Sequence, residues 1–219
     1  GKLQRSDLQN YRPVARQAVC HPFRQYLVCG FPPPTSGGVT TLQILRMMEF
    51  AEPQPLSAAS VDFYHLFSQA SRLAYADRAR YLADSDFIEV PVDELLDDNY
   101  LRQRSLLINP LKDMGKAHPG ELPSKISRAD DRSPELPSTS HFVIIDRWGN
   151  AVSMTSSIEM AFGSTLMAGG FLLNNQLTDF SFVAEQDGKP VANRVQPGKR
   201  PRSSMSPMMV FDENNQLVG

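Results

Sequence analysis

The chain has 219 residues, 41% of them hydrophobic, with 22 basic against 24 acidic side chains and a net charge of −2. It is long enough to bury a substantial core, as one domain or as one large domain with a small appendage. This charge balance supplies no basic field for nucleic acid or an anionic membrane surface, so neither is expected as a partner.

No run approaches the roughly 18 apolar residues of a membrane span. The opening GKLQRSDLQNYRP lacks the apolar core of a signal peptide, and Gly1 in place of Met marks a processed product or a fragment. Polar and apolar residues then alternate through residues 7–29 around a turn. Cys20 and Cys29 either face one another across a hairpin as a disulfide, in an oxidising compartment, or stand as two reduced apolar cysteines on strands. The stretch FPPPTSGG, from Phe31, holds three prolines and two glycines, which forbid regular structure and predict a shaped loop.

Residues 40–50 place Leu42, Ile44, Leu45 and Met48 at helical spacing, behind threonines suited to an N-cap. Residues 61–83 carry the strongest helical pattern, with Phe63, Leu66, Phe67, Ala70, Leu73, Ala74, Ala76 and Tyr81 on one broad apolar stripe. Within it, Asp77 and Arg78 read as an ion pair or cap internal to the helix. Pro91 opens a further helix through Leu95, Leu96, Tyr100 and Leu101, with Asp93 and Glu94 in its first turn where the macrodipole favours acids.

Between residues 109 and 140 the character changes to five prolines, many charges and almost no periodic apolar residues. This predicts a long exposed connection, either a linker or a functional segment such as a cleavage region. Beyond it the period becomes two: HFVIID, the turn RWGN and AVSMTSS form a hairpin with Gly149 and Asn150 in the turn. GGFLLNN and MMVFDENNQLVG repeat the strand habit, and the last strand has no room to finish before Gly219, as in a truncated chain. The expected fold class is α+β, with helices mostly before residue 110 and strands mostly after 139. His21, His65, His118 and His141 show no zinc-type spacing with each other or with the cysteines, so no metal site is expected.

Three motifs carry a family resemblance. TSHFVIIDRWGNAVSMTSSIEMAFGS, then GGFLLNNQLTDFSF, then KRPRSSMSP follow one another as they do in the γ-glutamyltransferase family, and DLQNYRPV, FPPPTSGG and AYADRARYLADSDF resemble the end of that family's large subunit. The resemblance implies part of the four-layer αββα sandwich of N-terminal-nucleophile hydrolases. It assigns residues 1–138, including a linker over 109–138, to the C-terminal part of the large subunit, and residues 139–219 to the N-terminal part of the small subunit of the same precursor. It further implies autoproteolysis by attack of the Thr139 hydroxyl on the Ser138 carbonyl. The family's activity is acyl transfer from a γ-glutamyl amide such as glutathione to an acceptor amine or to water, with no cofactor, in the periplasm or outside the cell.

The chemistry of that cut follows from the residue type. A threonine hydroxyl is a weak nucleophile without an adjacent base, and an N-terminal threonine supplies its own α-amine. That amine has a reference pKa of about 7.7 to 8.0, near working pH. By the resemblance, Ser157 holds the position of a hydroxyl that supports the nucleophile, Glu159, Gln176 and Asp179 hold the α-amino end of the substrate, and Ser203 and Ser204 receive its α-carboxylate. Position 159 departs from the asparagine of classical members. A glutamate there pairs with an ammonium group and welcomes a neutral glutaryl headgroup less readily. The alternatives are a glutaryl or cephalosporin-type acylase, or a non-catalytic or unprocessed homologue that serves as a binding scaffold.

The resemblance also places a carboxylate-binding arginine upstream of Gly1 and an oxyanion-hole Gly-Gly pair beyond Gly219, so this stretch alone is expected to be nearly inactive. Exposed strand edges would allow a homo-oligomer. Each motif has an ordinary reading beside these: Thr139 as a linker residue, NNQLTD as a turn, Ser203 and Ser204 as loop residues, PGKRPR as a solvated surface segment, and FPPPTSGG as a structural wall near the site.

Overall fold

A computed structural model describes residues 4–134 and 139–219. In chain order it forms α1 (Arg5–Asn10), β1 (Val19–Phe23), β2 (Tyr26–Gly30), α2 (Gly37–Ala51), α3 (Val61–Tyr81), α4 (Val92–Leu95) and α5 (Asp98–Ser105). There follow β3 (Ser140–Ile145), β4 (Ala151–Ser156), β5 (Met167–Ala168), β6 (Phe171–Leu172), a 3-10 turn at Gln176–Asp179, β7 (Glu185–Gln186), β8 (Lys189–Pro190) and β9 (Met208–Phe211). The fold is α+β, with helices before the connection and strands chiefly after it.

The first strands differ in detail from their alternating pattern. Residues 5–10 coil into α1, closed by the Gln4 N–H donating to the Asp7 carboxylate at 2.8 Å, and none of its residues is buried. β1 and β2 pair antiparallel with Cys20 directly opposite Cys29, and the two sulfurs are bonded. The disulfide reading of these cysteines is therefore the one realised. β2 also pairs with β9, giving a three-stranded antiparallel sheet in the order β1-β2-β9.

The core lies between the helices. α3 starts at Ser60, whose hydroxyl accepts the Phe63 N–H at 3.1 Å. Its residues Leu66, Ala70, Leu73, Ala74 and Tyr81 form the buried stripe, which packs on α2. Val39, Met47, Leu73, Leu95 and Leu101 are essentially inaccessible to solvent. The helix predicted from Pro91 divides in two, because Asp97 caps a second helix, accepting from the N–H groups of Asn99 (2.9 Å) and Tyr100 (3.0 Å).

Residues 109–134 do not run free through solvent. Leu122 enters the helical core, Tyr81 donates to the Gly120 carbonyl at 2.6 Å, and the Asp131 N–H reaches the Ala79 carbonyl at 2.9 Å. α3 satisfies several polar groups of this proline-rich segment directly. Asp77 is part of that arrangement rather than of a pair inside its own helix. Its carboxylate accepts from Arg104 Nη2 (3.0 Å), the Gly120 N–H (2.8 Å), Tyr100 (2.8 Å) and Gln43 Nε2 (3.3 Å). Burial pushes this carboxyl above the usual range despite Arg104 and the other donors.

The PGKRPR run is also not a solvated segment, since Lys199 and Arg202 are both buried. Lys199 Nζ donates to the carbonyls of Ala192 (2.6 Å) and Arg194 (3.1 Å) and to Gln196 Oε1 (3.0 Å). Burial lowers its pKa from 10.5 to about 8. The β3–β4 hairpin forms where the alternation predicts it, in register Ser140↔Ser156 through Ile145↔Ala151. Its turn is fixed by Asp146 Oδ1, which accepts from Trp148 N (2.8 Å) and Asn150 N (2.9 Å), with Gly149 at φ 85°.

Candidate active site

Thr139 immediately precedes β3. Because Ser140 faces Ser156, the hairpin register sets Thr139 opposite Ser157, and the two hydroxyl oxygens are hydrogen bonded at 3.1 Å. Ser157 Oγ also accepts the backbone N–H of Glu159 (2.9 Å) and Gln176 Nε2 (3.3 Å). The chain turns sharply at Glu159, whose φ of 70° lies in the left-handed region that a non-glycine residue rarely enters. The turn delivers the Glu159 side chain into the interior, where Oε2 is buried with no hydrogen-bond partner.

The NNQLTD segment is a turn, as the ordinary reading has it, and the turn also builds the site. Asn175 Oδ1 accepts from Met160 N at 3.0 Å, and Asn174 Oδ1 accepts from Gln176 N at 3.1 Å. These bonds lash the 3-10 turn to the strand end at residues 158–160 and aim Gln176 at Ser157. Gln176 Oε1, like Glu159 Oε2, is buried and unpartnered. The Asp179 carbonyl is held by Asn193 Nδ2 at 2.7 Å.

Ser203 and Ser204 line the same cleft as these residues. The FPPPTSGG loop grips their backbone: the Ser36 N–H and hydroxyl both donate to the Ser203 carbonyl at 2.8 Å, and Thr35 donates to the Met205 carbonyl at 2.5 Å. A Cβ at Gly37 would collide with that Met205 carbonyl, so this position at the head of α2 requires glycine.

The residues Thr139, Ser157, Glu159, Gln176, Asp179, Ser203 and Ser204 all line one cleft of about 710 Å³. Ser138, the other side of the expected cut, lies outside the described residues. The cleft wall also contains Arg78, Asp131 and Arg202, which the sequence reading did not assign to it. Arg78 donates from Nε to Ser36 Oγ at 2.6 Å and from Nη2 to Ser204 Oγ at 2.8 Å. Arg202 Nη2 meets Asp131 Oδ2 at 3.1 Å, and Asn193 Nδ2 reaches the same oxygen at 3.2 Å. Burial pushes the Asp131 carboxyl up, but Arg202, the Ser133 N–H and the Asn193 amide outweigh it and hold the carboxyl below its usual value. The only sequence signal for Arg78 was the AYADRARY motif, in which Arg78 is turned about 100° around α3 from Asp77.

Among the described residues no group of three or more His, Cys, Asp or Glu side chains is placed to hold a metal ion, and no helix is long and apolar enough to cross a membrane. What the cleft offers is a hydroxyl pair, two buried acceptors without donors, and a hydroxyl-bearing loop backed by a guanidinium.

The family model described as Gamma-glutamyltranspeptidase matches residues 1–219. The chain is 35% identical over 228 residues to the glutathione hydrolase proenzyme of Bacillus subtilis (strain 168), covering 100% of this chain and 38% of that protein. It is 34% identical over 215 residues to the acylase ACY 1 proenzyme of Pseudomonas sp. (strain SE83), covering 97% of this chain and 36% of that one. Among solved structures it resembles cephalosporin acylase from Bacillus halodurans, with a TM-score of 0.79 and 25% identity, over 100% of this chain and 36% of the other. The chain thus spans less than two fifths of the length of these relatives.

Proposed function

The chain belongs to the gamma-glutamyltranspeptidase family, and on that premise we propose that it is the stretch of a precursor that spans a self-inflicted cut before Thr139. Residues 1–138 then close the larger piece and residues 139–219 open the smaller one. The α-amine exposed on Thr139 takes the proton of its own hydroxyl, the hydroxyl oxygen attacks a γ-glutamyl amide, and the amine leaves with that proton. The resulting ester is released to water or to an acceptor amine. Ser157, hydrogen bonded to Thr139 at 3.1 Å, holds the nucleophile's orientation and needs no cofactor to do so.

The observation that carries the substrate class is the pair of buried acceptors, Glu159 Oε2 and Gln176 Oε1, which lack donors and belong to residues that line the nucleophile's cleft. A buried carboxylate oxygen without a partner is unfavourable, and an ammonium group supplies the charge-assisted bonds it lacks. Asp179 lines the same cleft. Ser203 and Ser204 also line it and are suited to receive a carboxylate. An amino-acid headgroup carries both charges, so a γ-glutamyl compound of the glutathione type fits better than a glutaryl one. A compartment outside the cytoplasm agrees with the Cys20–Cys29 disulfide.

The likeness to acylase ACY 1 and to cephalosporin acylase favours one second reading, an acylase acting on a glutaryl-type amide. Both readings are tested on the full-length protein by intact mass and N-terminal sequencing, followed by turnover of γ-glutamyl and glutaryl anilides. The expected result is a smaller fragment beginning Thr139-Ser140-His141 and a preference for the γ-glutamyl anilide. Preference for the glutaryl anilide would hand the assignment to the acylase reading. A chain that stays uncut after prolonged incubation would sink both and leave a binding scaffold.

A further inference from the structure

We propose that Asp131 is a positioning residue for the self-cut, fixing the arm that leads to the bond before Thr139; this rests on the precursor reading above. The arm, residues 129–134, precedes the cut, yet segments beyond the cut hold it. The Ala129 N–H donates to the Pro190 carbonyl at 3.1 Å, and Ser133 Oγ accepts the Phe182 N–H at 2.9 Å. Between these two ties the Asp131 carboxylate accepts from Arg202 Nη2 at 3.1 Å and from Asn193 Nδ2 at 3.2 Å. Its other oxygen accepts the Ser133 N–H at 3.1 Å, so the same carboxylate shapes the chain two residues nearer the cut.

This grip is built into the interior. Asp131 is 9% exposed and Asn193 fully buried. The Asn193 amide also donates to the Asp179 carbonyl at 2.7 Å and accepts the Arg202 N–H at 3.0 Å. Asp131 is thus fastened to a frame that it shares with the Asp179 turn and with the loop entering Ser203. From the other side α3 holds the same stretch, with the Asp131 N–H on the Ala79 carbonyl at 2.9 Å and Arg80 Nε on the Asp130 carboxylate at 2.8 Å.

Pro134 and Thr139 both line the cleft, and only residues 135–138 separate them. Past the cut, Thr139 is fixed by its bond to Ser157 at 3.1 Å. In the cut itself the Thr139 hydroxyl oxygen bonds to the Ser138 carbonyl carbon and the C–N bond breaks. The nitrogen leaves as the new α-amine, carrying the hydroxyl proton. Water then splits the ester, which restores the hydroxyl and leaves Ser138 with a carboxylate. Nucleophile and target sit on neighbouring residues, so connectivity already brings them close and orientation is what remains to be arranged. Ties at residues 129, 131 and 133 on one side of the bond, and at Thr139 on the other, supply that orientation.

The test follows the full-length precursor as it folds from denaturant, with uncut chain measured by intact mass and folding read by circular dichroism in the same samples. Asp131→Asn keeps the shape, removes the charge and sets an amide donor among donors. It is expected to slow the first-order cut of the folded chain by about 10- to 100-fold. Ser133→Ala, which removes the Phe182 tie, should slow it by about two- to tenfold. Once cut, Ser133→Ala should turn over γ-glutamyl-p-nitroanilide with kcat/KM within about threefold of wild type. Asp131→Asn should lose far less in that turnover than it loses in the cut.

A folded Asp131→Asn chain that is cut at the wild-type rate would overturn the proposal. Equal losses in cutting and in turnover would do the same, because they would place the effect of Asp131 in the wall that carries Arg202 and Ser203 rather than in the arm. A wild-type chain that folds and is never cut would instead refute the precursor reading, and this proposal with it. Should Asp131→Asn fail to fold, Ser133→Ala carries the comparison, and an undiminished rate of cutting in that variant overturns the proposal.

Discussion

The helices between residues 37 and 105 and the strands after residue 139 are held by different means. In the helical region Val39, Met47, Leu73, Leu95 and Leu101 are shut away from solvent and stack into one apolar cluster. In the second region every residue of β3 is exposed, and Phe142 and Ile144 remain 43% and 58% accessible among the described residues. Its order comes from polar geometry: Asp146 closing the hairpin, Asn174 and Asn175 locking the 3-10 turn, and Ser36 and Arg78 gripping the loop that carries Ser203 and Ser204. Apolar burial fixes the scaffold, and directional bonds fix the cleft.

Substitutions can break this contrast. The largest effect on stability is expected at Asp77, a fully buried carboxylate that accepts from Arg104, Gly120, Tyr100 and Gln43. Asp77→Ala strands Arg104 without its ionic partner and should cost about 3 to 5 kcal/mol, read by denaturant unfolding. Next, Leu73→Ala opens a cavity between α2 and α3 and should cost about 2 to 5 kcal/mol. Ile144→Ala, an equally apolar deletion in the exposed hairpin, should stay within about 0.5 kcal/mol. Similar losses at both positions would erase the distinction.

The smallest effect is a slope. Lys199 has a folded pKa near 8 against 10.5 for the ordinary group, so between those values the unfolded chain binds more protons. Its contribution should therefore raise stability as pH climbs from about 8 to 10.5, and Lys199→Met should remove that component. Unfolding curves across this range, compared between the two proteins, decide the sign.

Much of this contrast was legible in the chain itself. Leu66, Ala70, Leu73 and Ala74 announce α3 by their spacing, and the alternation of HFVIID and AVSMTSS announces the hairpin. The motif resemblance selected seven residues that the fold brings to one cleft. What escaped has a common cause. Asp77, Arg78 and Arg202 are charged residues in segments whose local pattern says surface, and their partners Arg104, Ser204 and Asp131 lie 27, 126 and 71 positions away in the chain. Periodicity reports which face is apolar, and it carries no information about a polar bond closed by a distant segment. The division of the helix at Asp97 was missed for a related reason, since an N-cap set inside an apolar repeat does not interrupt the repeat.

The sheet β1-β2-β9 draws two strands from before residue 138 and one from after it, and Ser36 is tied to Ser203 across the same divide. While the chain is continuous, closing that sheet is a first-order event. After a cut before Thr139, the same pairing joins two molecules, and refolding becomes second order in protein. The midpoint of unfolding should then climb with concentration for the cut form and stay fixed for the uncut one. Maturation would in this way convert a self-sufficient fold into an obligate pair of chains, whose recovery after denaturation depends on how dilute they are.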